Sequence, residues 1–432
     1  MQATGYRKFL NYVTLSILGT LGVSCYILAD TFFISKGLGP AGLTALNLAI
    51  PAYNFIFGSA MMLGMGGATR FSIVKETGDR KAAEDIFFHT LCMGMAFSVF
   101  FALLGLFAAR PLALLLGADA EVLDMTVTYL RVLLLFAPAF TLNDILLCFV
   151  RNDGSPRLAM AGMLLGSFAN IILDYILIFP FDMGMLGAVL ATGISPVISI
   201  LAMSPHWLRK KNSFGLHPCK LKSRLCTHIL SLGFPTLVDQ LSGAVVMIAF
   251  NLLILHLEGN IGVAAYGVVA NIAIVITSLF SGVAQGVQPL ISESWGRNDR
   301  MEARKMRRYA LCTGLVLAIL LYALTTIFAH PVTAIFNSQQ EPQLQSIAVR
   351  GLQLYFLSNP VLAFNIILGI WFTSIERPRP AQVLSLLRGF LLILPMAFGL
   401  AYAFGMTGVW LAFPATEGIA ALLGLWQMTR KE

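Results

Sequence analysis

Asn170 and Asp174 stand four residues apart in the stretch GSFANIILDYILIFPFD, residues 166–182. On a helix they share one face, one turn above the other. Their neighbours are Ile, Leu, Phe, Ala and Tyr, a composition suited to hydrocarbon. A carboxylate near the bilayer centre costs about 2.5–3.5 kcal/mol there. A chain carries that cost where the group faces a cavity, a partner or a moving ion; the alternative is a structural hydrogen bond between packed helices. Asp30 and Thr192 are two further polar residues in apolar runs. Two carboxylates, an amide carbonyl and a hydroxyl are hard oxygen donors of the type that takes hard cations. They serve a proton equally well, since two neighbouring carboxyls can hold one proton between them and release it when a cavity opens. Asp30 reaches Asp174 only if the first and fifth apolar segments pack together. Thr192 has a competing role, because Thr in membrane helices commonly bonds its own backbone one turn back.

Other ionisable residues read less sharply. Asp239, just after Pro235, and Glu417, about ten residues from the carboxyl end, both lie in apolar surroundings. Each is a candidate for a substrate pathway, against a helix-end or interhelical hydrogen bond for Asp239 and snorkelling to the interface for Glu417. Asp144, seven residues before Arg151, is expected to pair with it, and Glu293 to be a solvated helix end. The six cysteines (Cys25, Cys92, Cys148, Cys219, Cys226, Cys312) show no CxxC and no spacing with His that suits a metal. They read as small buried hydrophobes, and His256 as a packing residue. No resident cofactor or metal is expected.

The elements that must position these residues follow from composition. Of 432 residues, 57% are hydrophobic and 12% charged, and the mean hydropathy is +0.79. A soluble domain carries about 25% charged residues, so the expected class is an all-α polytopic membrane protein. Windows of about 20 apolar residues, enough to cross a core about 30 Å thick, recur at 10–34, 44–68, 86–108, 121–150, 158–179 and 185–205. Six more follow at 228–256, 262–291, 309–329, 343–373, 381–403 and 407–428. No cleavable signal precedes the first. Most of the 29 Lys and Arg lie in alternate loops and at both ends, from Arg7 and Lys8 to Arg430 and Lys431. That bias predicts cytoplasmic termini and removes any need to read the net charge of +8 as nucleic-acid affinity.

The chain also repeats itself. GPAGLTAL at 39–46 resembles GNIGVAAY at 259–266, and the loop GDRKAAED at 78–85 is echoed by GRNDRMEARK at 296–305. Pro138, Asn143 and Pro156 correspond to Pro360, Asn365 and Pro378, and GMLGAVLA at 184–191 to GMTGVWLA at 405–412. The offset drifts only from 220 to 222. Two parallel six-helix lobes are predicted, 1–205 and 228–432, joined by a basic linker at 206–227 and meeting at a central cleft. The repeat permits an internal comparison. Asp30, Asn170, Asp174 and Thr192 map onto Phe250, Leu391, Pro395 and Phe413, so the polar set belongs to the first lobe alone. Selective placement favours a cation site over a general packing role.

Taken together, ADTFFISKGLG (29–39), FVRNDGSP (149–156), ANIILDYILI (169–178), GAVLATGIS (187–195), VQPLISESWGRND (287–299) and GMTGVWLAFPATE (405–417) resemble the multidrug and toxic compound extrusion (MATE) family. Lipid-linked oligosaccharide flippases belong to the same superfamily. The resemblance covers essentially the whole chain. It implies that the first and fifth helices pack together, that the first bends on cation binding, and that the family's first-lobe cation site falls on Asp30, Asn170, Asp174 and Thr192. It implies export of amphipathic organic cations coupled to H⁺ or Na⁺. Ser292-Glu293-Ser294-Trp295 departs from the family's more usual Tyr-Asn-Tyr-type run.

Three classes of function are open at this point. The first is a secondary antiporter for small organic cations, working as a monomer in the plasma membrane with both termini cytoplasmic. The second is a flippase for a lipid-linked saccharide, which predicts a strongly cationic cavity, whereas Arg388 is the only basic residue deep in a span. The third is an intramembrane enzyme, for which no nucleophile–base motif or metal spacing speaks.

Overall fold

The structure, a computed structural model, describes residues 2–337 and 340–429 and contains no strand among them. Gln2–Lys75 is one helical run broken only at Gly39, whose backbone (φ 67°, ψ −160°) reverses the chain. The hydroxyls of Tyr26 and Tyr53 meet at 2.8 Å across that reversal, so the run supplies two antiparallel helices, α1 (2–38) and α2 (40–75). An L side chain at this φ costs about 1–2 kcal/mol, which glycine avoids. Next come α3 (Arg80–Phe107) and α4, made of Leu123–Leu135 and Ala137–Asn152 with a 48° bend between them. The bend falls beside Pro138, which withholds an N–H from the helical ladder. The first half closes with α5 (Pro156–Ile178) and α6 (Gly184–Met203).

The second half retraces this path. Ser223–Gly296 breaks at Gly259 (φ 64°, ψ −156°) into α7 (223–258) and α8 (260–296), and α9 is Arg300–Ile327. α10 joins Pro342–Tyr355 to Asn359–Ser374 through one 3-10 turn beside Pro360. α11 begins at Pro378–Leu386, passes through a π turn at Leu387–Leu391, and ends where Gly405 (φ 58°) starts α12 (406–429). Among the described residues this makes twelve membrane helices, six in each half, the number that the hydropathy predicts. Arg430 and Lys431 lie outside the described residues.

Backbone geometry shows the repeat independently of side chains. Gly184 matches Gly405, Gly78 matches Asn298, and Gly154 matches Glu376, all with positive φ. Asp79 and Asp299 each cap the following helix, accepting from Ala82 N at 3.0 Å and Glu302 N at 2.9 Å. Asn298 and Glu376 hold this φ with a side chain, at 63° and 56°; Asn tolerates the region, whereas Glu rarely enters it. The Glu376 carboxylate accepts from Arg70 at 2.6 Å and from His228 at 3.1 Å.

The lobes close on each other at the face where α1 begins and α12 ends, here the terminal face. α1 lies so near α8 that a Cβ at Gly286 would stand 2.7 Å from Val13 Cα, and Gly233 of α7 meets the Met62 carbonyl of α2 in the same way. Lys8–Glu293 at 2.7 Å, Arg70–Glu376 at 2.6 Å and Asn152–Gln288 at 2.9 Å tie the two lobes there. Glu293 is therefore a cross-lobe partner rather than a free helix end. Beyond these contacts the lobes part around a cavity of about 580 Å³ lined by both.

The connection between lobes is bolted to the first one. Phe214 is wholly buried and meets Phe71, Phe87 and Phe149 with ring centroids 4.6–5.5 Å apart. Asp153 accepts from Lys75 at 3.2 Å, His206 at 3.0 Å and the Ser213 N–H at 2.8 Å, and from the Ser213 hydroxyl. Lys222 reaches Asp85 at 3.1 Å, one residue before α7 starts. Of the cysteines only Cys148 is buried, while Cys25 and Cys312 are exposed; both sit on outward helix faces, against the buried role expected for them.

Candidate functional site

Asp30, Asn170, Asp174 and Thr192 come together inside the first lobe, all buried. α1 runs along α5, with Gly19 and Gly22 against Met163 and Leu164, and this brings Asp30 to Asp174. Their carboxyl groups face each other closely enough to share a hydrogen bond. Asn170 donates to Asp174 Oδ2 at 3.1 Å when its amide oxygen accepts from Thr192 N at 3.3 Å. One oxygen of Asp30 and one of Asp174 have no hydrogen-bond partner. Two carboxylates in one dry site cannot both stay ionised without a counter-charge, so the pair needs a proton or a cation between them.

Two details differ from expectation. Asp174 lies four residues from the end of α5, about 6 Å along the axis, so the pair sits towards the far face rather than at the bilayer centre. Thr192 donates its hydroxyl to Ala188 O at 3.2 Å, the backbone bond weighed against ligation, so it meets Asn170 through its backbone N–H. Tyr129 of α4 is a member that sequence reasoning missed. It is buried, faces Thr192 and lies within electrostatic reach of both carboxyls. One tyrosine among eleven carries no signal until helix packing selects it.

The second lobe fills the equivalent place with rings. Phe250 stacks on Tyr266 at 5.6 Å, and Phe413 on Tyr355 at 4.7 Å and 4°. Ring contacts fill that place in the second lobe, so packing there does not require the polar set.

A second charged cluster faces the cleft from the second lobe. Glu417, 2% exposed, receives two guanidinium nitrogens of Arg388 at 3.0 Å and the Asn365 amide at 2.7 Å. It does not snorkel, because this cluster satisfies it in place. Arg388 projects from the π turn of α11, an insertion that re-aims side chains and often marks functional sites. Asp239 stands 3.8 Å from Arg388 with its side chain 45% exposed on the cleft wall. The two pathway candidates thus share one guanidinium but differ in exposure.

Asp144 also lines the cleft, and it does not pair with Arg151. That guanidinium donates instead to Gln285 at 2.8 Å, across the lobes, and contacts Met163 Sδ at 3.6 Å. Asp30, Asn170, Asp174 and Thr192 are absent from the cleft wall; Tyr26 and Tyr53 line it in front of them.

The MatE family model matches residues 16–176 and 235–398. The multidrug export protein MepA of Staphylococcus saprophyticus is 26% identical over 427 residues, covering 97% of this chain and 92% of its own. The same protein of Staphylococcus aureus strain MRSA252 is 26% identical over 426 residues with equal coverage. Among solved structures, an outward-facing multidrug resistance MATE family transporter of the MOP superfamily has a TM-score of 0.92 at 23% identity, covering 99% of this chain and 96% of its own. A MOP superfamily transporter from Pyrococcus furiosus, whose binding pocket is described as of reverse polarity, has a TM-score of 0.91 at 24% identity with the same coverage. The structural likenesses establish the fold.

Proposed function

The chain belongs to the MatE family of membrane transporters, and we propose that it is a secondary active multidrug exporter of amphipathic organic cations. It is a transporter rather than an enzyme. Export would be coupled to inward H⁺ or Na⁺ through Asp30, Asn170, Asp174 and Thr192, with the ion as cargo rather than cofactor. The observation that carries this reading is an asymmetry of charge. The buried carboxyls of the first lobe face each other with no basic group beside them among the described residues, whereas Glu417 is neutralised by Arg388. A proton or cation bound between the two carboxyls would relieve their repulsion, and its release would restore it.

Alternating access follows if occupancy of that pair biases the packing of α1 against α5, and hence of one lobe against the other. The basic terminal face is assigned to the cytoplasm of a plasma-membrane protein. Closure there makes this the state that loads ions and releases substrate on the far side. Asp239 offers the cleft an exposed carboxylate, while Glu417 serves to hold Arg388. A single copy contains both lobes and the cleft, so a monomer suffices.

The flippase reading needs free positive charge for a pyrophosphate. The two guanidiniums in the cleft, Arg151 and Arg388, are already held by Gln285 and Glu417, and three carboxylates (Asp144, Asp239, Glu417) share the wall. That balance favours a cation. The test is dye efflux from proteoliposomes under separately imposed proton and sodium gradients. One of the two is expected to drive efflux; transport driven by neither would overturn the proposal.

A further inference from the structure

Each lobe places an asparagine at the same repeat position and aims it at a cleft carboxylate. In the second lobe Asn365 donates to Glu417 at 2.7 Å. In the first, its mate Asn143 donates to Asp144 Oδ1 at 3.1 Å. The two carboxylates then diverge. Glu417 has Arg388; Asp144, 5% exposed, has no basic partner among the described residues, and its Oδ2 has no hydrogen-bond partner at all. A buried carboxylate with an unused oxygen on a cavity wall is costly unless something charged completes it.

The surroundings define what that is. Tyr53 stacks on Phe57 with centroids 6.0 Å apart and meets the edge of Phe140, also at 6.0 Å. Phe140 lies one turn before Asp144 on α4, on the same face, and these rings line the cleft with Tyr26. A small hard ion requires several oxygens around it. One carboxylate set in an aromatic wall suits an organic cation, whose charge meets the carboxylate while its body lies on the ring faces. Tyr26 stands one turn before Asp30 on α1, its hydroxyl meets that of Tyr53 at 2.8 Å, and both tyrosines share the cleft wall with Asp144.

We propose that Asp144, walled by Tyr26, Tyr53, Phe57 and Phe140, is the first-lobe subsite for the substrate's positive charge, and that the Tyr26–Tyr53 hydroxyl pair joins it to the Asp30–Asp174 pair. This deepens, and rests on, the reading of the chain as an exporter of organic cations. A cation at Asp144 and one at Asp30–Asp174 repel across the same two hydroxyls, so loading either site weakens the other.

The experiment is equilibrium binding to purified full-length protein without any gradient, read by fluorescence anisotropy. Ethidium serves as the aromatic cation and Nile red as a neutral aromatic dye. Asp144→Asn is expected to weaken ethidium at least tenfold and leave Nile red within twofold, while Asp144→Glu stays within a few-fold of wild type for both. Asp144→Ser gives the same reading should the Asn variant not purify as a monodisperse protein. Tyr26→Phe combined with Tyr53→Phe is expected to shrink severalfold the loss of ethidium affinity that a saturating coupling ion causes in wild type. Wild-type ethidium affinity in the Asn or Ser variant overturns the subsite, and an undiminished ion effect in the double Phe variant overturns the link. Wild-type protein that binds neither dye would remove the exporter reading itself, a different failure.

Discussion

The hydroxyls of Tyr26 and Tyr53 meet at 2.8 Å between the buried carboxyl pair of the first lobe and the cleft that both lobes line. Because Gly39 reverses the chain midway between these tyrosines, α1 and α2 present them face to face, one turn inward from Asp30. The carboxyl pair stands off the cleft wall, on which the two tyrosines lie. Under the proposed function, that arrangement lets ion and substrate sense each other without sharing one site.

Arg388 is expected to be a stability residue as well as a cleft residue. Arg388→Gln leaves Glu417 buried without its cation, a loss of about 3–5 kcal/mol. Thermal unfolding in detergent should show a clear drop, and Arg388→Leu combined with Glu417→Leu should recover most of it. A single variant as stable as wild type would show that the pair does not hold α11 to α12.

Asp153 pins the inter-lobe connection. Burial alone would push its carboxyl up, but the bonds from His206 and Ser213, with Lys75 beside it, outweigh that and hold it below the usual carboxylate range. Asp153→Ala should cost about 2–4 kcal/mol, since it orphans several donors at once. Faster proteolysis within 206–222 should accompany the loss; an unchanged digestion pattern would mean that Phe214 anchors the segment unaided.

The Arg70–Glu376 pair predicts a pH effect at the terminal face. Burial would raise the Glu376 carboxyl, yet the His228 hydrogen bond and the Arg70 guanidinium leave it below the ordinary 4.5. A value depressed on folding gives stability that is fully present above pH 4.5 and is lost as pH falls through the folded value. With both side chains partly exposed the amount is about 0.2–1 kcal/mol. Melting curves between pH 6 and pH 3 should therefore fall less steeply for Glu376→Gln than for wild type; identical slopes would contradict the assignment.

What could be read without coordinates is what periodicity and solvent chemistry decide locally. The spans were legible because hydrocarbon excludes charge over 20 residues at a time. The repeat was legible because turns require particular residues, as Gly39 with Gly259 and Gly184 with Gly405 show. Asp30, Asn170 and Asp174 stood out because lone polar groups in apolar helices have few explanations. Packing decided the rest. Glu417 looked able to snorkel only because its partner lies 29 residues away on another helix. Asp144 looked paired with Arg151 until Gln285 of the other lobe took the guanidinium. Tyr129 could not be distinguished from other membrane tyrosines.

Ion-driven dye efflux by Asp30→Asn and Asp174→Asn proteoliposomes tests the central claim most directly. The account predicts that each variant folds, stays in the membrane and binds dye, yet shows no efflux above the no-gradient level under the gradient that drives wild type. Wild-type rates in either variant would contradict it.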